Sequence, residues 1–430
     1  MKSNADLHIR CIDHVIFLPI ARRLARDVAK VSYFSSWEKA FPTVRDCIGD
    51  GFEDIQRVQS PWQDKDAVDL WFFADVGFSH LQKELLSQGK IVWGARDADS
   101  IETMRGKFLN ILGGTDLPVP LHEVKVGLSA LREYLRDKED RWIKISKFRG
   151  DFETFHWRSW AEDENTLDGY AVKFGPFRDH ITFYVFEPID TDIEDGCDTW
   201  CIDGVYPKLI IHGTEFKDRA YLGTFQKFSE LPEEVRRVND AFAPVLKQYG
   251  YRSFFSTEVR ITEDGESYFT DPTCRAGSPP SQVMCEMTAN LGEIVWGGAN
   301  GECVEPEPVA KFGVQAIVSL KGDVRHWRSL KINDDVDQWL KCGQCMKLDD
   351  CLVFPPCSDD PSADVGWLVG IGDTIDDAIE HLKENVEYLP EGACCDVTPL
   401  ANILEQVQEA EAQDMPFGNG EIPKPETVLS

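Results

Sequence analysis

Positive charge is scarce in this chain of 430 residues: 45 Lys and Arg stand against 75 Asp and Glu, a formal net charge of −30. Such a surface repels nucleic acid and anionic membranes, so an anionic ligand needs a locally basic cleft. Direct nucleic-acid binding is not expected. No apolar run approaches the roughly 18 residues that a membrane span needs, and the opening "MKSNADLHIRCIDHVIF" lacks the small-residue cleavage site of a signal peptide. The turn after the first expected strand has no glycine cluster, which argues against a dinucleotide. No Ser/His/Asp or Cys/His arrangement has a defensible spacing, and there is no Met-Lys-Met for biotin. The 13 cysteines are scattered rather than framing a small domain, as expected of free thiols in a reducing cytoplasm. "KCGQCMKLDDC" with Cys357 holds one CxxC, but the second pair is wrongly spaced for a zinc ribbon and no His is interleaved. His14, His156 and His180 have no ligand spacing and read as structural.

What is present begins as alternation. "HVIFL" (His14–Leu18) reads as a buried strand, Pro19–Ala29 as a helix, "KVSYFS" (Lys30–Ser35) as the next strand. Strand Val68–Asp75, helix Ser79–Gly89 and strand Lys90–Ala95 repeat the pattern, which implies a doubly wound parallel sheet over 1–98. From Asp99 the texture becomes α+β. A helix is expected over Asp99–Leu112, then a strand Arg141–Ser146, a basic loop "KFRGDFET" (Lys147–Thr154), and a strand His180–Ile189. The helix Pro232–Gly250 leads into strands Arg252–Thr262 and Gly265–Asp271, joined by a tight "EDG" connector. Two more strands follow, over 311–320 and from Val365. The second runs into a helix capped by Asp373 or Thr374, and a polar tail closes the chain.

The stretch "YFTDPTCRAGSPPS" (Tyr268–Ser281) sets the functional question. An apolar run stops at Asp271, Arg275 follows, and Gly-Ser-Pro-Pro can continue neither helix nor strand. Across a tight hairpin Glu258 and Asp271 can face one side within a few ångströms. Two acids at one spot repel unless a cation sits between them, and carboxylates with Mg²⁺ and a nearby arginine cradle nucleotide phosphates.

These residues resemble the ATP-grasp family, in its glycinamide ribonucleotide synthetase-like (phosphoribosylamine–glycine ligase-like) branch. The likeness covers about residues 90–300 well and the flanks more loosely. It implies a Rossmann-like pre-ATP-grasp domain (1–98) and an ATP-grasp domain of two α+β lobes (99–305, flexible lobe about 125–190). A small α+β C-terminal lobe (306–404) and a flexible tail (405–430) follow. The resemblance further implies metal ligands Glu258, Asp271 and Thr273 for Mg²⁺ or Mn²⁺, with Thr273 where the family usually has Asn. Lys107 and Lys144 match its nucleotide-binding lysines, and Lys147, Arg149, Gly150 and Glu153 fall in the loop that closes over the triphosphate. Phe186 and Glu187 match the hinge that reads the adenine edge, Glu194 or Asp198 the ribose contact, and Lys217 and Arg275 the phosphate-facing catalytic cations.

By the same resemblance, the expected activity is Mg-dependent, ADP-forming joining of a carboxylate to an amine through an acylphosphate. The expected substrates are small-molecule or peptide carboxylates and amines, acted on by a chain that can pair as a homodimer. The glycine-rich N-terminal stretch of the purine enzyme is absent, and the whole chain is more loosely similar to ATP-grasp proteins of bacteriophage genomes. An ATP-grasp kinase, or a nucleotide-binding protein that keeps the fold without turnover, are the alternatives. Thr273 favours the second of these.

Overall fold

The structure, a computed structural model, describes residues 3–14, 16–35, 47–146, 154–191, 194–216, 219–356, 363–412 and 417–418. An N-terminal sheet of five strands is wholly parallel. It comprises β1 (His8–Asp13), β2 (Lys30–Ser35), β3 (Gln56–Arg57), β4 (Leu70–Phe73) and β5 (Ile91–Trp93), in the order β3-β2-β1-β4-β5. This is the parallel doubly wound sheet expected at the N-terminus. Its first strand, however, is His8–Asp13 and not His14–Leu18; Leu18 already opens a helix, Leu18–Leu24, with Pro19 in its first turn. The polar residues His8, Arg10 and Asp13 disguised the strand. All three are buried with partners: Arg10 donates to the carbonyls of Pro61 and Gln63 at 2.7 Å, and Asp13 accepts from the Tyr33 hydroxyl and the Phe17 N–H at 2.8 Å.

Two antiparallel sheets follow. One has four strands, β6 (His122–Val126), β7 (Arg141–Ile145), β8 (Thr154–Trp157) and β9 (Thr182–Phe186), in the order β6-β9-β7-β8. The other begins with β10 (Glu194–Ile202), β11 (Leu209–Phe216), β12 (Ala220–Lys227), β13 (Arg252–Ile261) and β14 (Ser267–Thr273). It continues without a break into β15 (Phe312–Leu320), β17 (Leu340–Cys342), β20 (Asp364–Gly372) and β21 (Ala393–Cys395). The segment expected as a separate small lobe from 306 therefore shares one sheet with the strands before it, because β15 pairs directly with β12. The remaining strands, β16 (Arg328–Lys331), β18 (Met346–Leu348) and β19 (Cys351–Phe354), make a three-stranded sheet.

Three expectations about helices need comment. Residues 99–112 form two helices, Asp99–Thr103 and Arg105–Leu112, because Met104 leaves the helical region (φ −129°, ψ 89°). Thr374 caps Ile375–Glu387, its side chain accepting from the Asp377 N–H at 3.1 Å. Helix Pro399–Ala412 crosses the expected start of a flexible tail at 405 and buries Val407, and Phe417 packs its ring 4.7 Å from that of His212. Val407 and Phe417 are held by apolar burial that the polar composition around them hid. Cys342 and Cys345 are buried free thiols, pushed up by burial; Cys357 lies outside the described residues. Among the described residues no helix is long and apolar enough to cross a membrane.

Candidate functional site

Strand β7 alternates as a half-buried strand must. Ile143 and Ile145 are buried on one face, and Trp142 and Lys144 stand on the other. That second face looks across a cavity of about 370 Å³ toward β10, β11, β13 and β14. The four-stranded sheet supplies Trp142, Lys144, Thr154 and Phe186 to its lining, and the large sheet supplies Glu194, Glu215, Glu258, Arg260, Thr270 and Asp271. The cavity is thus held between two sheets.

Glu258 on β13 lies directly opposite Asp271 on β14, as the hairpin reading required. The connector turns through Gly265 at φ +79°, with the Gly265 N–H on the Thr262 carbonyl at 2.8 Å. The register then slips: Glu258 faces Asp271, but Val259 faces Phe269, so Thr270 is an extra residue on β14. A bulge re-aims the side chains beside it. Here the Thr270 hydroxyl donates back to Glu258, at 3.0 Å to its carbonyl and 3.3 Å to Oε1.

Asp271 is gripped by two cations. Lys144 Nζ donates to Oδ2 and Arg105 to Oδ1, and Arg105 also donates to the Thr270 carbonyl at 2.9 Å. Burial opposes ionisation of Asp271, but the charges of Arg105 and Lys144 and their hydrogen bonds outweigh it and hold the carboxyl well below the usual range. Burial pushes the Lys144 ammonium down and Arg105 pushes it the same way, against the pull of Asp271 and Glu258.

A second cavity, of about 80 Å³, adjoins the first through Glu194, Glu215 and Glu258, which line both. Asp198, Tyr221, Thr273, Pro279 and Pro280 are also in its wall. Asp198 is buried and accepts from the Tyr221 hydroxyl at 2.6 Å; burial pushes its carboxyl up to about 6 against the hydrogen bonds from Ser256 and Tyr221. Of the two expected ribose contacts, Glu194 reaches the larger cavity, ion-paired with Arg260 at 2.8 Å, and Asp198 lines only the smaller one.

Other expected site residues fall elsewhere. Lys107 bonds the Ser100 hydroxyl and sits 4.8 Å from the Tyr249 ring centroid, and it lines neither cavity. The helix break at Met104 resets the turn, so Arg105 and not Lys107 reaches Asp271, although Arg105 itself lines neither cavity. Arg275 pairs with Glu102 at 2.8 Å and approaches Asp75 at 3.8 Å, outside both linings. Phe186 and Glu187 line the larger cavity, but the Glu187 N–H already donates to the Leu121 carbonyl at 3.0 Å. Lys147, Arg149, Gly150, Glu153 and Lys217 lie outside the described residues. Sequence reasoning missed Arg105, Glu215 and Arg260. The spacing of Glu215 two residues before Lys217 was the only signal for it.

Glu258, Asp271 and Thr273 offer hard oxygen donors of the kind Mg²⁺ prefers. Among the described residues no group of three or more His, Cys, Asp or Glu could hold a metal unaided. Mg²⁺ is commonly held by one or two carboxylates together with substrate phosphates.

No family model matches the sequence, and no curated protein matches it either. Solved structures do. Phosphoribosylamine–glycine ligase of Thermotoga maritima superposes with a TM-score of 0.67 at 15% identity, over 90% of this chain and 99% of that one. The L-amino acid ligase of Bacillus licheniformis gives 0.58 at 16%, over 90% and 98%. The biotin carboxylase domain of Hydrogenobacter thermophilus 2-oxoglutarate carboxylase, a dimer solved with MgADP and bicarbonate, gives 0.61 at 10%, over 95% and 96%. The chain has the ATP-grasp fold. In ATP-grasp terms the four-stranded sheet is one jaw and β10–β14 the other, with Lys144 and Asp271 meeting across the gap.

Proposed function

We propose that this chain is an ATP-dependent, Mg-dependent ligase that joins a carboxylate to an amine and releases ADP. The observation that carries the reading is the pair of cations on Asp271, opposite Glu258, in a cavity between two sheets. On binding, the triphosphate would take over Lys144 and Arg105 from Asp271, and Asp271 with Glu258 opposite it would hold the metal, with Thr273 beside them. The metal would supply charge neutralisation at the phosphoryl oxygens. Lys144 and Arg105 add fixed positive charge where negative charge spreads in phosphoryl transfer.

A carboxylate oxygen attacks the γ-phosphorus, the bond to the β-bridging oxygen breaks, and ADP leaves. The amine nitrogen then attacks the acyl carbon, the C–O bond to phosphate breaks with its electron pair, and the amine loses a proton. The ligases among the solved relatives support this assignment. A non-catalytic nucleotide-binding role is favoured by Thr273 alone. ADP release, screened over amino acids with and without carboxylate co-substrates, tests the proposal. Stimulation by one pair names the reaction, and Mg-ATP binding with no turnover on any pair replaces the ligase reading with the non-catalytic one.

A further inference from the structure

A third cavity, of about 200 Å³, lies apart from the two just described, where the loop after β14 meets the C-terminal strands. Ile16, Ser278, Gln282, Arg328, Lys341 and Trp367 are among its lining residues. Two of these are cations, and the lining also holds one carboxylate, Asp364, which accepts from the Ser319 hydroxyl, in a chain with a formal net charge of −30. Lys341 is buried and paired with Glu286, which also accepts from Arg26 at 3.1 Å and from Gln338 at 2.8 Å. That network therefore carries two positive charges against one negative. Arg328 is different. It donates to the Ala363 carbonyl at 3.3 Å, its buried Nε has no hydrogen-bond partner among the described residues, and no carboxylate among them lies within ion-pair distance. A guanidinium with an unmet buried N–H, facing a cavity in so acidic a protein, calls for an anion.

The shape of that anion follows from the walls. Trp367, Phe354 and Ile317 give the cavity an apolar side, so the ligand has an apolar body as well as an acidic head. Its position follows from Ser278. The two residues after it, Pro279 and Pro280, line the smaller cavity that contains Glu258 and Thr273. One short loop thus separates this cavity from the metal candidates. We propose that the cavity is the acceptor site of the ligase, and that it takes an apolar α-amino acid by its carboxylate, which Arg328 holds. The amino acid is the amine partner of the reaction proposed above, and the assignment of its role rests on that reading; the carboxylate-binding site itself does not.

The test is calorimetric titration of the full chain with leucine, with 4-methylpentanoate (no amine), with isoamylamine (no carboxylate) and with inorganic phosphate. Leucine and 4-methylpentanoate are expected to bind and isoamylamine is not. Arg328→Met should weaken leucine by about tenfold to a hundredfold, the weight of a charged hydrogen bond, and leave the thermal shift by Mg-ATP intact. Isoamylamine binding as tightly as leucine, phosphate alone binding, or an Arg328→Met chain that keeps the wild-type leucine affinity would overturn the proposal. Should Arg328→Met fail to fold, Ile317→Trp fills the cavity without touching a charge. Leucine affinity retained in that variant overturns the site, and its loss supports it. A Mg-ATP shift without leucine binding sinks the acceptor site alone. Leucine binding without any Mg-ATP effect sinks the ligase reading and leaves the site standing.

Discussion

Replacing Lys144 by Met separates fold from function at one atom. The methionine keeps the apolar stem against its neighbours and deletes only the charge. Breaking a buried ion pair commonly costs about 3–5 kcal/mol, because it leaves the partner charge uncompensated. Here it does not, since Asp271 keeps Arg105 on its other oxygen. Burial already works against the Lys144 ammonium, so removing it also relieves a penalty. The ligand-free protein should lose about 1 kcal/mol or less, a fall in Tm of about 2 °C. Ligand stabilisation behaves otherwise. Mg-ATP at a hundred times its Kd stabilises the wild type by about 2.7 kcal/mol. Losing one charged contact to phosphate weakens binding up to about a hundredfold, and at the same concentration only about 0.4 kcal/mol remains. Differential scanning fluorimetry with and without Mg-ATP reads both numbers. Lys107→Met is the control and should keep the whole shift, because Lys107 faces Ser100 and Tyr249. A Lys144→Met chain that retains the full shift, or that unfolds without ligand, refutes the reasoning.

Other substitutions probe the same frame. Arg105→Met should abolish the Mg-ATP shift and also cost about 2–3 kcal/mol without ligand, because a buried guanidinium leaves the Thr270 carbonyl and Asp271; an unchanged melting curve would contradict its placement. Glu258→Gln with Asp271→Asn should end turnover, and ATP consumption at the parent rate would remove the metal assignment. Burial pushes the Asp13 carboxyl up to about 6, against the Tyr33 hydrogen bond and helped by Asp75. Its folded pKa thus exceeds the unfolded one, so its stabilising effect is complete below about 4 and is lost as pH rises through 6. Asp13→Asn, which places an amide N–H₂ where Oδ1 has no partner among the described residues, should therefore gain up to about 3 kcal/mol over wild type at pH 8 and much less at pH 4. Parallel stability curves for the two proteins at pH 4 and 8 would count against it.

Much of the architecture was legible because it is periodic. Alternating strands and helices announced the parallel sheet, and the two-residue period of Arg141–Ile145 set Lys144 against the cleft while Ile143 and Ile145 faced the core. The Glu258–Asp271 pairing followed from one tight turn. What stayed hidden was aperiodic. β1 carries His8, Arg10 and Asp13 in full burial, and a polar strand is recognisable only when its partners at Ser32, Pro61 and Gln63 are in place. Nothing at Met104 breaks helices by type, so a continuous helix was the natural reading. The break that brings Arg105 to Asp271 belongs to tertiary contact. The bulge at Thr270 is one residue of register, and register is set by the facing strand. Glu215 and Arg260 enter the cavity from strands whose order, β13-β10-β11, no local pattern encodes.

The charge of the chain and the geometry of its cleft are two sides of one constraint. Lys144, Arg105 and Arg260 are placed among acids, and without nucleotide each rests on a carboxylate: Asp271 holds the first two and Glu194 the third. Isolated, those ammonium and guanidinium groups would suffer from burial, and Asp271 would suffer from burial and from Glu258 opposite it. Paired, they wait at little cost. Under the proposed function, metal alone would gain little, because it would have to displace two cations from Asp271. Triphosphate alone would gain little, because it would strip Asp271 of its partners and leave two facing carboxylates. Arriving together, metal and triphosphate would exchange partners with the pairs already present, and every charge would stay compensated. An acidic protein can in this way keep a phosphate site without a basic surface: the positive charge is local, and the carboxylates that hold it ready are the ones the proposed reaction uses.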